Sequence, residues 1–328
     1  MLAGAGVNAA VAGFTSHKQR ALQSLWSMLL GLVPSASPVF GSLHDEAFVT
    51  RVRGQGGMPI FVEPPHGMFH SWEKDPGYGP WFKRNKSKSA ALVALSRKPA
   101  CLALLDKLFE ITQMQKLEPG TDTLKRLFAV KTLDTLASIA EAHGAPVLPN
   151  PRGVQISTEE RELLSIVANE MRRCWFVDSS EALAAQSYGE RAAAPIGHLL
   201  QRLLTGTAEV DSRFAVLSCH DKSLFALSCL LGFDLVKCGF AGHLVFELHS
   251  ASDKQDPPGD QVIRMYYNPD PFGGAGWGVP VIPPLRTLER VPPWTDLDTG
   301  DFSLAALVAH CSAVSASLPT HDVIRAKL

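Results

Sequence analysis

The chain has 328 residues, 46% hydrophobic and 19% charged, with a formal net charge of -1. That balance suits a globular chain with a sizeable core and excludes a disordered one. Charge so near zero gives no long-range field to attract nucleic acid or an anionic membrane, so neither is expected as a partner.

Residues 1–14 carry no basic residue, and Asp234 and Lys237 interrupt the longest apolar candidate, between Phe225 and Phe246. Neither a secretory signal nor a membrane-spanning segment is therefore expected. The six cysteines lack the Cys-x-x-Cys spacing of zinc or redox sites. Free thiols follow, which points to a reducing, cytoplasmic compartment. Asn85-Lys86-Ser87 fits a glycosylation sequon, a pattern common by chance.

Residues 7–14 read as a strand, with Thr15-Ser16 as the turn after it. Leu22, Leu25, Trp26, Leu29, Leu30 and Leu32 then make a helical stripe that stops near Pro34. Arg20 stands at the start of that helix. Cations are disfavoured there unless an anion is present, so a solvated first-turn arginine is the plain reading of Arg20 taken alone.

Residues 35–58, rich in glycine and serine, read as an exposed loop, and Met58 to Pro64 as a strand bounded by prolines. In residues 65–88, His66 and His70 suggest a metal pair, but no third ligand completes it. The basic run Lys83-Arg84-Asn85-Lys86 reads as the solvated start of a helix, with a phosphate-attracting rim as the alternative.

From Ala90 to about Ala185 the periodicity is helical in three segments. Leu92 to Ile111 is the first, Leu124 to Ala140 the second, and Leu163 to Met171 the third, opened by Ser157-Thr158-Glu159-Glu160 as a capping box. Such a block between α/β pieces reads as an insertion. The predicted organisation is residues 1–84 as the first part of an α/β core, 85–190 as a helical cap, and 191–328 as the second part of the core.

Ala194 to Leu204 is a helix leading into Phe214 to Ser218, an apolar run that suits a strand buried on both faces. It ends at His220-Asp221, and a Leu-rich helix follows, closed by Gly232. The carboxyl end of a strand in an open α/β sheet is where ligands bind. Taken alone, Asp221 is a helix cap and His220 a turn residue. The chain's other His-Asp pairs, His44-Asp45 and His321-Asp322, follow no such run.

Downstream stand Gly242-His-Leu-Val-Phe-Glu-Leu248 and Val262-Ile-Arg-Met-Tyr-Tyr-Asn268. Gly273 to Gly278 looks like a phosphate loop, but prolines follow it instead of a helix, so it reads as a turn. Phe302 to Ala316 is a closing helix.

Three of these stretches together resemble the histidine acid phosphatases. Thr15-Ser16-His17-Lys18-Gln19-Arg20-Ala21, with Leu22, Ser24, Leu29, Leu32 and Pro34 after it, is similar to the family's Ser-Thr-Asp-x-x-Arg-Thr loop and helix. His220-Asp221 falls on the family's second signature, and Leu244 to Asn268 on its late strand pair. Phe14 and His17 stand where the family has an arginine and an aspartate.

The resemblance implies a three-layer α/β/α core like that of phosphoglycerate mutase, a helical cap over the site, and hydrolysis of a phosphate monoester through a phosphohistidine. Arg20 would be a bidentate phosphate ligand, His220 a cation on the phosphoryl oxygens and Asp221 the general acid. No cofactor and no metal are implied. A phosphoglycerate mutase proper fits less well, because those enzymes draw their acid from elsewhere and lack the His-Asp signature.

The family's nucleophile sits in an Arg-His-Gly-x-Arg-x-Pro motif ahead of the Arg20 loop, and no Arg-His-Gly occurs in these 328 residues. Two expectations follow: a phosphatase whose sequence begins late, or a pseudophosphatase that binds a phosphorylated ligand or a protein partner. The missing strand is central in the family's sheet. Its slot would be filled by residues 1–13 or by association with another copy, a homo-oligomer.

Overall fold

The computed structural model describes residues 11–34, 38–42, 45, 47–48, 58–65, 67–148, 152–176, 188–206, 214–231, 241–250, 261–268 and 301–316. They form a mixed α/β structure around a parallel sheet. Strand β1 (Val11–Ser16) leads into α1 (Gln19–Leu32), followed by β2 (Pro38–Gly41) and β3 (Met58–Glu63). A 3-10 helix (Met68–Lys74) opens a helical run: α2 (Tyr78–Lys88), α3 (Ala90–Leu95), α4 (Pro99–Thr112), α5 (Thr123–Ala142) and α6 (Thr158–Arg173). Next come α7 (Tyr188–Leu204), β4 (Phe214–Ser218), α8 (Asp221–Leu231), β5 (His243–Ser250), β6 (Gln261–Asn268), β7 (Asp301–Ser303) and α9 (Leu304–Ala316).

Four parallel strands run in the order β2-β3-β1-β4. β1 is central and wholly buried, and its side chains alternate between two cores, as strand geometry requires. Val11 joins Leu25 and Leu29 of α1 on one face. Gly13 allows that approach, since a Cβ there would meet Leu25 Cδ2 at 3.0 Å. Ala12 and Phe14 face the opposite core with α7 and α8, and Phe14 stacks on Phe61 at 5.0 Å.

The helical run from α3 to α6 has a core of its own, built from residues such as Leu104, Leu105, Leu133, Leu164 and Val167. Ser157 and Glu160 form the expected capping box at the head of α6. Between α5 and α6, buried Asp134 takes Arg161 on one oxygen at 2.8 Å and Arg172 on the other at 2.7 Å. β5, β6 and β7 form a second, antiparallel sheet in which β6 is central.

Several expectations need correction. β4 is a strand over the expected residues but is not buried on both faces: Phe214 is 42% exposed and the rest are half-buried. Among the described residues it pairs with β1 on one side only, and edge position explains the exposure. Thr15 and Ser16 belong to β1 and are not a turn, and residues 11–13, from the segment expected to fill a central slot, are part of that central strand. Residues 1–10 lie outside the described residues.

β2 occupies part of the expected loop. On α1, Leu30 and Leu32 face outward while Ala21, Leu25 and Leu29 are buried. The basic run lies inside α2 and is not simply solvated. Asn85 is buried and donates to the Cys174 carbonyl at 2.9 Å, which removes it as a glycan acceptor. Lys86 lies over the Phe82 and Phe128 rings.

Phe302 belongs to β7, so the last helix starts at Leu304. The five described cysteines are free thiols. No described helix is long and apolar enough to cross a membrane. His66, Gly232 and the segment 273–278 lie outside the described residues.

Candidate functional site

Strand register places the site. Thr15 pairs with Ser218 and Ser16 with Glu63, so β1, β3 and β4 end at one level. The segments leaving those ends therefore meet. After β1 come His17, Lys18 and Arg20, after β3 the 3-10 helix, and after β4 His220 and Asp221.

Arg20 and His220, 200 residues apart, are brought together: Arg20 Nη2 lies 3.5 Å from His220 Nδ1. On its other side His220 Nε2 is 2.9 Å from Ser16 Oγ. A guanidinium only donates, so the Nδ1 it approaches must hold the lone pair. Nε2 then carries the hydrogen and donates to Ser16 Oγ, which also accepts from the Lys18 N–H at 3.3 Å. In this tautomer His220 is not a base toward Ser16, which argues against a serine nucleophile. Ser218 Oγ donates to the Ala21 carbonyl at 2.8 Å and ties the end of β4 to the first turn of α1.

Burial pushes His220 down to about 4, with His70, Arg20 and Lys18 adding to the shift and Asp221 opposing it. At neutral pH the imidazole is therefore uncharged. Asp221 is the first residue of α8, and its Oδ1 accepts the Lys222 N–H at 2.9 Å. It thus meets an unpaired N–H in the first helical turn while standing beside His220.

His70 is buried, with its ring centroid 4.6 Å from that of His220 and 6.0 Å from that of His17. Side-chain hydrogen bonds tie its segment to the core. Buried Glu63 accepts the Met68 N–H, Ser223 Oγ donates to the Phe69 carbonyl, and Ser71 Oγ donates to the Ala192 carbonyl. Burial lowers His70 as well; Glu73 opposes that, while His17, Lys18 and Lys222 add to it. His17 Nδ1 and Trp72 Nε1 are both buried without a hydrogen-bond partner among the described residues. The two imidazoles thus stand together, with Lys18 and Arg20 acting on His220 and Lys18 and Lys222 on His70.

Ser16, His17 and His70 are the site residues that sequence reasoning missed. Their signal was present but ambiguous: Ser16 read as a turn, and His70 as half of a metal pair. Among the described residues no group of three or more His, Cys, Asp or Glu is arranged to hold a metal ion. Burial pushes the neighbouring Cys219 thiol up to about 11, so it is a protonated, weak nucleophile.

No protein-family model matches this chain, and no curated protein matches it.

Proposed function

We propose that this pocket binds the phosphoryl group of a phosphate monoester and belongs to a phosphomonoesterase of the histidine acid phosphatase type. On this reading the sheet and its flanking helices are a phosphoglycerate mutase-like core, and the helical run is a cap over the pocket. A phosphate dianion leaves water only where several charge-assisted donors replace its hydration. Arg20 supplies two such donors, and His220 supplies a third once the dianion draws a proton onto it. Asp221, next along the chain, gives its proton to the departing alkoxide.

The observation that supports the reading is the approach of Arg20 to His220 across 200 residues, with Asp221 adjoining. In such a hydrolysis an imidazole nitrogen bonds to phosphorus as the ester P–O bond breaks. Water then cleaves the P–N bond and returns a proton to Asp221. The family's nucleophilic motif is absent from the 328 residues. That favours a second reading, a site that holds phosphorylated ligands without turnover. Turnover by this chain would implicate His70, the imidazole facing His220.

The test is hydrolysis of phenyl phosphate at pH 5 and pH 7, alongside calorimetric titration with inorganic phosphate. Phosphate binding weakened about tenfold or more by Arg20→Gln supports the site. Turnover abolished by His220→Ala selects the hydrolase, and binding without turnover selects the second reading. Absence of both rejects the proposal.

A further inference from the structure

Outside the phosphoryl pocket, a second pair of cations meets over one aromatic ring. Lys131, on α5 of the helical run, places Nζ 3.9 Å from the centroid of Trp175. Lys222, the residue after Asp221, places its own Nζ 5.3 Å from the same centroid. Trp175 is buried and packs edge-on against Phe225 of α8 at 5.6 Å. The ring therefore joins the helical run to the element that carries Asp221.

Neither lysine forms a salt bridge or hydrogen bond through its ammonium among the described residues. Two acidic groups nearby among the described residues have other hydrogen-bond partners. Asp134, one turn along α5, is taken by Arg161 and Arg172, and Asp221 accepts a backbone N–H. Burial pushes Lys131 down to about 8; Asp221 opposes the shift, and Lys222 and Arg172 add to it. Lys222 also acts electrostatically on His70, so it lies within electrostatic reach of both His70 and Lys131. Two half-buried like charges on one ring, with no carboxylate within salt-bridge distance of either among the described residues, are the arrangement an anion would relieve.

We infer that Lys131 and Lys222 form a second anion subsite beside the pocket, and that the ligand is a phosphate monoester carrying another anionic group, carboxylate or phosphate, on its alcohol portion. This rests on the phosphoryl reading of the Arg20 and His220 pocket. The second group meets Lys222, the residue next in the chain to Asp221, the proposed acid for the departing alkoxide. The helical run thereby contributes to ligand choice through Lys131.

The experiment is calorimetric titration at pH 6.5 with propyl phosphate, propane-1,3-diyl bisphosphate and 3-(phosphonooxy)propanoate. Both two-anion probes are expected to bind about tenfold tighter than propyl phosphate, the size of one added charge-assisted contact. In Lys131→Met, which keeps an apolar stem on Trp175, that ratio should fall to about one. Lys131→Arg should retain it, as should Lys125→Met, which removes a charge from an exposed position on the same helix. Lys222→Met provides a second variant should Lys131→Met fold poorly, and the ratio should fall there too.

A wild-type ratio near one, with propyl phosphate binding that depends on Arg20, overturns the subsite and leaves the pocket standing. A high ratio unmoved by Lys131→Met and Lys222→Met also overturns it. Two-anion binding that ignores Arg20→Gln but needs both lysines keeps the subsite and rejects the phosphoryl pocket. No binding of any probe rejects both.

Discussion

His220 is neutral because its surroundings refuse it a proton, and this makes stability depend on pH in a defined direction. Its ordinary value is 6.5, and in the folded chain it lies at about 4. Between those values the unfolded chain binds a proton there that the folded chain does not, so stability falls as pH drops through that window. The lowered His70 adds with the same sign. Urea midpoints should therefore decrease from pH 7 through pH 5.5 to pH 4.5, and His220→Gln should make that decrease shallower. An unchanged slope in the variant would show that His220 titrates normally.

Arg20 and His220 were legible as a pair only through the family resemblance, since taken alone one reads as a solvated first-turn arginine and the other as a turn residue. Ser16 and His70 were not, because their membership depends on which strands are neighbours. Only the pairing of Ser16 with Glu63 and of Thr15 with Ser218 brings those segments to one level. No local pattern in the sequence carries that information.

Elements with strong periodicity could be read nearly to the residue. α6 opens at the Ser157 capping box, and β3 and β4 fall where apolar runs put them. The misreadings have physical causes. β2 and β7, at four and three residues, are too short to show a period. Burial of β4 was overestimated because an apolar run reveals a strand but not its place in a sheet. Lys86 and Asn85 look solvated as letters, yet one covers aromatic rings and the other satisfies a buried carbonyl.

At this scale Asp134 is the clamp between α5 and α6, holding two arginines with both oxygens. Asp134→Ala leaves those guanidinium groups without their counter-charge, so we expect a loss of about 3–5 kcal/mol in urea unfolding. The doubly paired geometry is what sets that size. A loss below about 1 kcal/mol, the level of a surface ion pair, would contradict it.

Apart from a smaller core under α1, the described residues form two cores, one between the parallel sheet and α7 and α8, the other inside the helical run. What joins the two could not be foreseen, since Lys131, Trp175 and Lys222 come from separate elements. The proposed phosphoryl site lies where the β1 and β4 ends meet. Its central claim is that Arg20 and His220 act on one shared oxyanion.

A double-mutant cycle on the affinity for inorganic phosphate tests that claim most directly, using Arg20→Gln, His220→Asn and the pair. The account predicts that each single change weakens binding about tenfold or more and that the double loses clearly less than the product, because each group works through the same ion. Wild-type protein that binds no phosphate, or losses that multiply as for independent sites, would contradict it.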